Sequence, residues 1–221
     1  ESSEFLAGWP LERATARLDA RRTRHTLTYT DPETGLVVRC EGVQYSDYPT
    51  VEWTLHFKNT GTADSPILSG IQAIDTSFER NAQDEYVLHR NKGDNCTADS
   101  FEPVDETLAP ETDRRIASVG GRPTQIEFPY FNISSGNEGL VFVVSWPGQW
   151  AAQFTRDEGN RLRVRAGQEL THFKLLPGEE VRTPMVVVQF WKGDRQHAQN
   201  VWRAWMIAHN LPRPGGALPP V

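Results

Sequence analysis

Val51-Glu52-Trp53-Thr54-Leu55-His56-Phe57-Lys58 sets four large apolar residues against four polar ones in strict alternation. Successive side chains of a strand point to opposite faces. Val51, Trp53, Leu55 and Phe57 therefore share one side, and the stretch predicts a β-strand with that side buried. Upstream, Thr26–Thr30 carries Leu27 and Tyr29 on one face. Asp31-Pro32-Glu33-Thr34-Gly35 then supplies turn chemistry, and Leu36–Cys40 returns, which predicts a hairpin. Downstream, 67–74 and 86–89 are further strand candidates. From Arg90 to Gly121 the chain is polar with little apolar periodicity, and is expected to be a long stretch that is either a functional loop or disordered. Strands resume over 126–133. Leu140–Trp146 is almost continuously apolar, so that strand should be covered on both faces. Trp150–Thr155, Leu162–Ala166, Leu170–Leu175 and Pro184–Trp191 complete a set of about ten to thirteen, with boundaries good to about ±2–4 residues.

One helix stands out. Ala198, Val201, Trp202, Trp205 and Ala208 form an apolar stripe, Asp194 is the expected N-cap, and Asn210 and Pro212 should stop it. Pro212–Pro220 has linker composition. The predicted class is all-β: a large two-sheet antiparallel β-sandwich with one C-terminal α-helix. The expected division is a sandwich over residues 1–192, a linking helix packed on the sheet over 193–211, and a Pro/Gly linker over 212–221.

Composition bounds the function. The 221 residues carry 23 Lys and Arg against 29 Asp and Glu, a net charge of −6, so there is no general attraction to nucleic acid. The apolar runs are far shorter than the roughly 20 residues of a membrane helix, and neither a membrane partner nor a signal peptide is expected. The first residue is Glu1, which would fit a processed or cut chain. Cys40 and Cys96 are the two cysteines, too few for a disulfide framework, and are expected to be separate thiols, although the sequence does not decide their pairing. No metal site is expected, because no Cys pair or His sits at zinc-ligand spacing. No cofactor is expected either, because the phosphate-binding glycine motifs are absent, as are the usual hydrolase signatures.

The candidate chemistry is sugar recognition. His89-Arg90-Asn91-Lys92-Gly93-Asp94-Asn95-Cys96 is the densest polar cluster and directly follows a strand. Lys92, Asp94 and Asn95 could hydrogen-bond sugar hydroxyls from such a loop, with His89 and Cys96 shaping it. Trp146-Pro147-Gly148-Gln149-Trp150 places two indoles around a turn, either as core or as a platform for the C–H face of a sugar ring. Asp75, in an apolar stretch, could be partly buried. Asp157-Glu158 and Glu179-Glu180 read as solvated turn acids, and Arg13, Arg17, Arg21, Arg22 and Arg24 as a solvated face. Asn95-Cys96-Thr97 and Asn132-Ile133-Ser134 match the glycosylation sequon.

Several ordered motifs carry a family resemblance. They are the run Trp146–Phe154, Leu162–Gly167, Leu170–Phe173, the turn Leu176–Pro184, Phe190–Arg195 and Asn200–Arg203. Val51–Leu55 and Lys92–Cys96 agree more loosely. Together they resemble the N-terminal β-domain of bacterial α-galactosidase-like enzymes of glycoside hydrolase family 36, over residues 20–212. The resemblance implies a β-supersandwich followed by a linking helix and a (β/α)₈ barrel that holds two catalytic aspartates for retaining hydrolysis. No residue here matches either aspartate, so no catalytic residue is assigned, and the chain alone is expected to be inactive by that mechanism. Its implied partners are an α-galactoside or related α-glycoside and its own barrel. Homo-oligomerisation stays open, as does the compartment among bacterial cytoplasm, periplasm and secretion. A stand-alone carbohydrate-binding module, a ligand-free interaction domain and a self-sufficient enzyme with converging carboxylates are the alternatives.

Overall fold

A computed structural model describes residues 2–80 and 84–217. The last four residues of the expected linker lie outside that range. Among the described residues there are sixteen strands. They are β1 (Leu11–Arg17), β2 (Arg22–Thr30), β3 (Leu36–Tyr45), β4 (Thr50–Asn59), β5 (Leu68–Ser69), β6 (Ile74–Glu79), β7 (Tyr86–Lys92) and β8 (Pro103–Leu108). Then come β9 (Asp113–Ala117), β10 (Glu127–Ser135), β11 (Glu138–Ser145), β12 (Trp150–Arg156), β13 (Arg161–Gln168), β14 (His172–Phe173), β15 (Glu180–Arg182) and β16 (Met185–Lys192). A short turn of helix, α1 (Ser2–Phe5), opens the chain, and α2 (Arg195–Trp205) runs on through a π-helical turn, Met206–Asn210.

Ten strands form one antiparallel sheet in the order β1-β2-β3-β4-β16-β11-β10-β7-β8, with β15 beside β4. Four strands, β6-β13-β12-β9, form a second sheet, and β14 pairs with β5. This is the expected all-β sandwich with its C-terminal helix. The core lies where the small sheet covers the large one. Leu88, Phe131, Phe142, Val144 and Val186 meet Ile116, Trp150, Phe154, Leu162 and Val164 there, all buried. At roughly 1.5–3 kcal/mol per fully buried large apolar side chain, this contact dominates the stability. Phe131 organises it: its ring stacks on Phe142 at 5.5 Å and takes Trp150 and Phe154 edge-on at 5.7 and 5.2 Å.

The near-continuous apolar run has the explanation its pattern called for. Leu140, Phe142 and Val144 of β11 face the small sheet, while Val141 and Val143 face α2. The helix packs on that opposite face through Ala198, Trp202 and Trp205 against Tyr45, Val187 and Trp191. Asp194 caps it, accepting from the His197 amide at 2.7 Å. One ion is wholly buried in the core wall. The Arg156 guanidinium bonds Glu85, Asp157 and the carbonyls of Leu108, Gly159 and Arg161, and lies 5.5 Å from the Tyr86 ring. Each donor direction has an acceptor, the condition for a buried charge to be tolerated.

The structure corrects several expectations. The polar stretch 90–121 is not one loop, because it contains β8 and β9. Both are edge strands with one exposed face, so their outward positions (Asp105, Asp113, Arg115) break up the apolar periodicity. β1 is likewise an almost wholly exposed edge strand, and it carries Arg13 and Arg17. Glu180, read as the end of a turn, instead opens β15, which extends the pairing of β4. Asp75 is exposed, and both its oxygens are held by Arg163 at 2.7 Å. Cys40 and Cys96 are separate thiols, as expected. The Asn132 sequon is sealed, with that residue 1% exposed.

Candidate functional site

β7 delivers the chain to a loop, residues 93–102, that is seated on residues 122–128, an irregular segment leading into the start of β10. Backbone bonds join the two: Gly93 N to Ile126 O at 2.7 Å and Asp94 N to Thr124 O at 2.7 Å. The Asn95 side-chain carbonyl accepts from the Ile126 amide at 3.2 Å. Gly93 is required here for closeness. A Cβ on it would sit 2.7 Å from the Glu127 nitrogen and 2.8 Å from the Glu127 oxygen, inside contact distance of immovable backbone. From below, the buried Trp150 indole donates to Pro123 O at 2.7 Å.

The loop is closed on itself by charge. Lys92 Nζ donates to Asp99 at 2.9 Å and Glu102 at 2.6 Å, and these bonds raise its pKa. The Thr97 hydroxyl and then Lys92 hold Asp99 down at about 2. Asp94 accepts from the Cys96 amide and the Ser100 hydroxyl on the same oxygen, Oδ1, and both bonds lower its pKa.

Three non-glycine residues here adopt positive φ: Cys96 at 58°, Phe101 at 64° and Ile126 at 70°. A branched residue in that region is strained, at a cost of order 1–3 kcal/mol, and such residues collect at functional positions. Phe101 and Ile126 are also half exposed, at 50% and 45%, with the Phe101 ring edge-on to Phe128 at 5.8 Å. The tip is thus amphipathic: Asp94 and Asn95 offer polar atoms beside an apolar pair.

On the far side of Phe128 lies a groove of about 700 Å³, bounded by Thr124, Phe128, Trp146, His56, Arg182 and Met185. A second, of about 480 Å³, lies across Trp146 against Phe57, Ile71, Phe173 and Val181. The Arg182 guanidinium sits 5.5 Å over the Trp146 ring, a cation–π contact that occupies one indole face.

The predicted residues therefore separate. Asp94, Asn95 and Cys96 share the loop. Lys92 ends β7 and its ammonium is consumed by two carboxylates. His89 is not in the loop at all; it lies within β7, bonded to Asp105 and Ser134. Trp146 is half-buried at the groove wall. Trp150 is corrected: it is 0% exposed and anchors Pro123, so it cannot stack on a sugar. Sequence reasoning missed Phe101, Ile126, Phe128 and Arg182. An isolated phenylalanine in a polar run was the one available signal. Among the described residues no three His, Cys, Asp or Glu side chains gather closely enough to hold a metal, and no helix is long and apolar enough to cross a membrane.

No family model and no curated protein matches the chain. Solved structures do. A variant of the family-36 α-galactosidase AgaA from Geobacillus stearothermophilus, in complex with stachyose, superposes with a TM-score of 0.72 at 17% identity, covering 93% of this chain and 30% of that one. The α-galactosidase from Lactobacillus brevis gives 0.72 at 12% identity, covering 90% and 28%. The α-N-acetylgalactosaminidase NagBb from Bifidobacterium bifidum, a quadruple mutant, gives 0.55 at 11%, covering 92% and 31%. At these identities the likeness establishes the fold. The chain has the fold of a β-sandwich portion of family-36 α-galactosidases, and it spans under a third of the length of these structures.

Proposed function

We propose that this chain is the non-catalytic N-terminal part of a larger α-galactosidase-like glycoside hydrolase. In this reading residues 1–192 are the sandwich, 193–211 the linking helix and 212–221 the connection toward a retaining (β/α)₈ barrel that supplies both catalytic carboxylates. The observation that carries it is the superposition of nearly the whole chain on under a third of family-36 enzymes. That AgaA structures hold raffinose and stachyose supports an α-galactoside as the substrate of the complete enzyme.

Within this chain the loop 93–102 is the contribution to the substrate mouth. Barrel active sites are built at one face by loops, and a rigidly seated neighbouring loop can complete them. Asp94 Oδ2 would accept from a sugar hydroxyl and Asn95 Nδ2 would donate to one, since Asp94 Oδ1 is spent within the loop and Asn95 Oδ1 on the Ile126 amide. Lys92 acts indirectly, by holding Asp99 and Glu102. A stand-alone sugar-binding module is the second reading, and it rests on Trp146 alone.

The test is the intact mass of the natural protein with hydrolysis of nitrophenyl α-galactoside. A mass several times that of this chain, with turnover and a raised KM in Asp94→Ala, is the expected result. A natural chain of this size without turnover would overturn the reading.

A further inference from the structure

Away from the loop, on the sheet face that carries α2, three adjacent strands bring a serine, a histidine and an aspartate into line. His89 of β7 lies between Ser134 of β10 and Asp105 of β8. Ser134 Oγ is 3.0 Å from His89 Nε2, and His89 Nδ1 is 2.8 Å from Asp105 Oδ1. The ladder imposes this alignment. Asp105 is directly opposite His89 on one side, and Ser134 lies diagonally across on the other, two residues beyond Asn132, which is His89's partner. From α2, Arg195 Nη1 holds both Asp105 oxygens at 3.1 and 2.9 Å.

The polarity is that of an activated nucleophile. A carboxylate bonded by Arg195 can only accept, so the His89 proton resides on Nδ1. In the neutral ring the Nε2 lone pair is then left to take the Ser134 hydroxyl proton. The histidine side chain is 13% exposed and Ser134 half-buried, so the pair is shielded but not sealed. Beside them, Asn132 Oδ1 accepts from the Trp191 indole N–H, and the buried Asn132 Nδ2 has no acceptor among the described residues.

We propose that Ser134, His89 and Asp105 form a nucleophilic acyl-transfer centre for small activated carboxylic esters, independent of any glycoside chemistry. In the forward step Ser134 Oγ bonds the acyl carbon while its proton passes to His89 Nε2. The ester C–O bond breaks and the departing alkoxide takes that proton. Water then attacks the acyl-serine, its proton passes to His89 and on to the serine oxygen, and the carboxylic acid leaves. The net change is ester plus water to acid plus alcohol. Ser134 and His89 are the catalytic residues and Asp105 positions the ring.

The experiment treats the chain with a fluorophosphonate probe and measures its mass and the site of labelling. The expected result is one adduct, on Ser134, formed with loss of fluoride. It should be absent in Ser134→Ala and at least tenfold slower in His89→Gln. p-Nitrophenyl acetate should show a burst of one equivalent that disappears with the same serine. Ser134→Ala removes one surface-side hydroxyl, so its folded state is checked by circular dichroism; an unchanged spectrum ties the lost label to the nucleophile. No adduct, an adduct on another residue, or labelling unaffected by His89→Gln would overturn the assignment.

Discussion

Gly93→Ala is the sharpest probe of how the loop is held. Gly93 does not adopt positive φ, so alanine introduces no backbone strain there, and the whole effect is contact. The new methyl group meets the Thr124 carbonyl and the Glu127 backbone, and neither can rotate away. The loop must therefore lift from the 122–128 segment. Lifting it breaks three bonds: Gly93 to Ile126, Asp94 to Thr124, and Asn95 to Ile126. At about 0.5–1.5 kcal/mol net for each, the loss is roughly 1.5–4.5 kcal/mol. Taking about 3 kcal/mol, protection of the Asp94 amide against hydrogen exchange should fall on the order of 100-fold. Gly8→Ala, where a methyl would meet nothing within 4 Å, is the neutral control. Exchange at Asp94 within threefold of the parent protein, with an unchanged melting temperature, would refute the reasoning that close approach fixes this loop.

Trp150→Phe keeps most of the buried ring but removes the donor to Pro123; a loss of about 1–3 kcal/mol in urea unfolding is expected. Asp99 titrates near 2 when folded against its ordinary 3.8, so its contribution to loop closure is complete above pH 3.8 and is lost as the pH falls toward 2. A carboxyl-carbon NMR titration of Asp99, with the Lys92 resonances moving in step, checks this. Cys96 is exposed, whereas burial pushes the half-buried Cys40 thiol up. A disulfide reagent at pH 8 should therefore consume Cys96 first, in a two-phase reaction, and a single fast phase of two equivalents would contradict the burial of Cys40.

The central strands were legible because burial writes itself into side-chain pattern. β4 alternates in sequence but not in burial, since its apolar and polar residues from Val51 to Phe57 are alike half-buried in mid-sheet; β11 is apolar on both faces, and the Asp194 cap and the Ala198–Trp205 stripe follow from helix geometry alone. β1, β8 and β9 were not legible. They are held by ladder bonds from backbone groups, which every sequence possesses, while their side chains face water. The site divides in the same way. Asp94 and Asn95 stood out as a polar loop, but the strain at Phe101 and Ile126 comes from a backbone pairing between segments some thirty residues apart, and no local pattern encodes it. Trp150 misled because two tryptophans flank a turn. The alternation Trp150, Ala152, Phe154 into the core was the better guide. His89 drew attention as a loop residue, but its partners come from two other strands.

The pairing of β4 also sets an order of events during folding. β2, β3 and β4 are consecutive in the chain and pair with their immediate neighbours, so this meander closes through short, fast loops. Its far edge waits for residues that arrive more than a hundred positions later. Val186–Gln189 pair with Thr50–Trp53, and Glu180–Arg182 with His56–Lys58. Between them Thr183 turns aside, its hydroxyl taking the Leu55 amide. Until that late seam closes, β4 presents an open apolar edge, as a nascent chain would at every point before residue 180 has emerged. The seam is then both the slowest joint to assemble and the place where the growing protein is most exposed to pairing with another copy of itself.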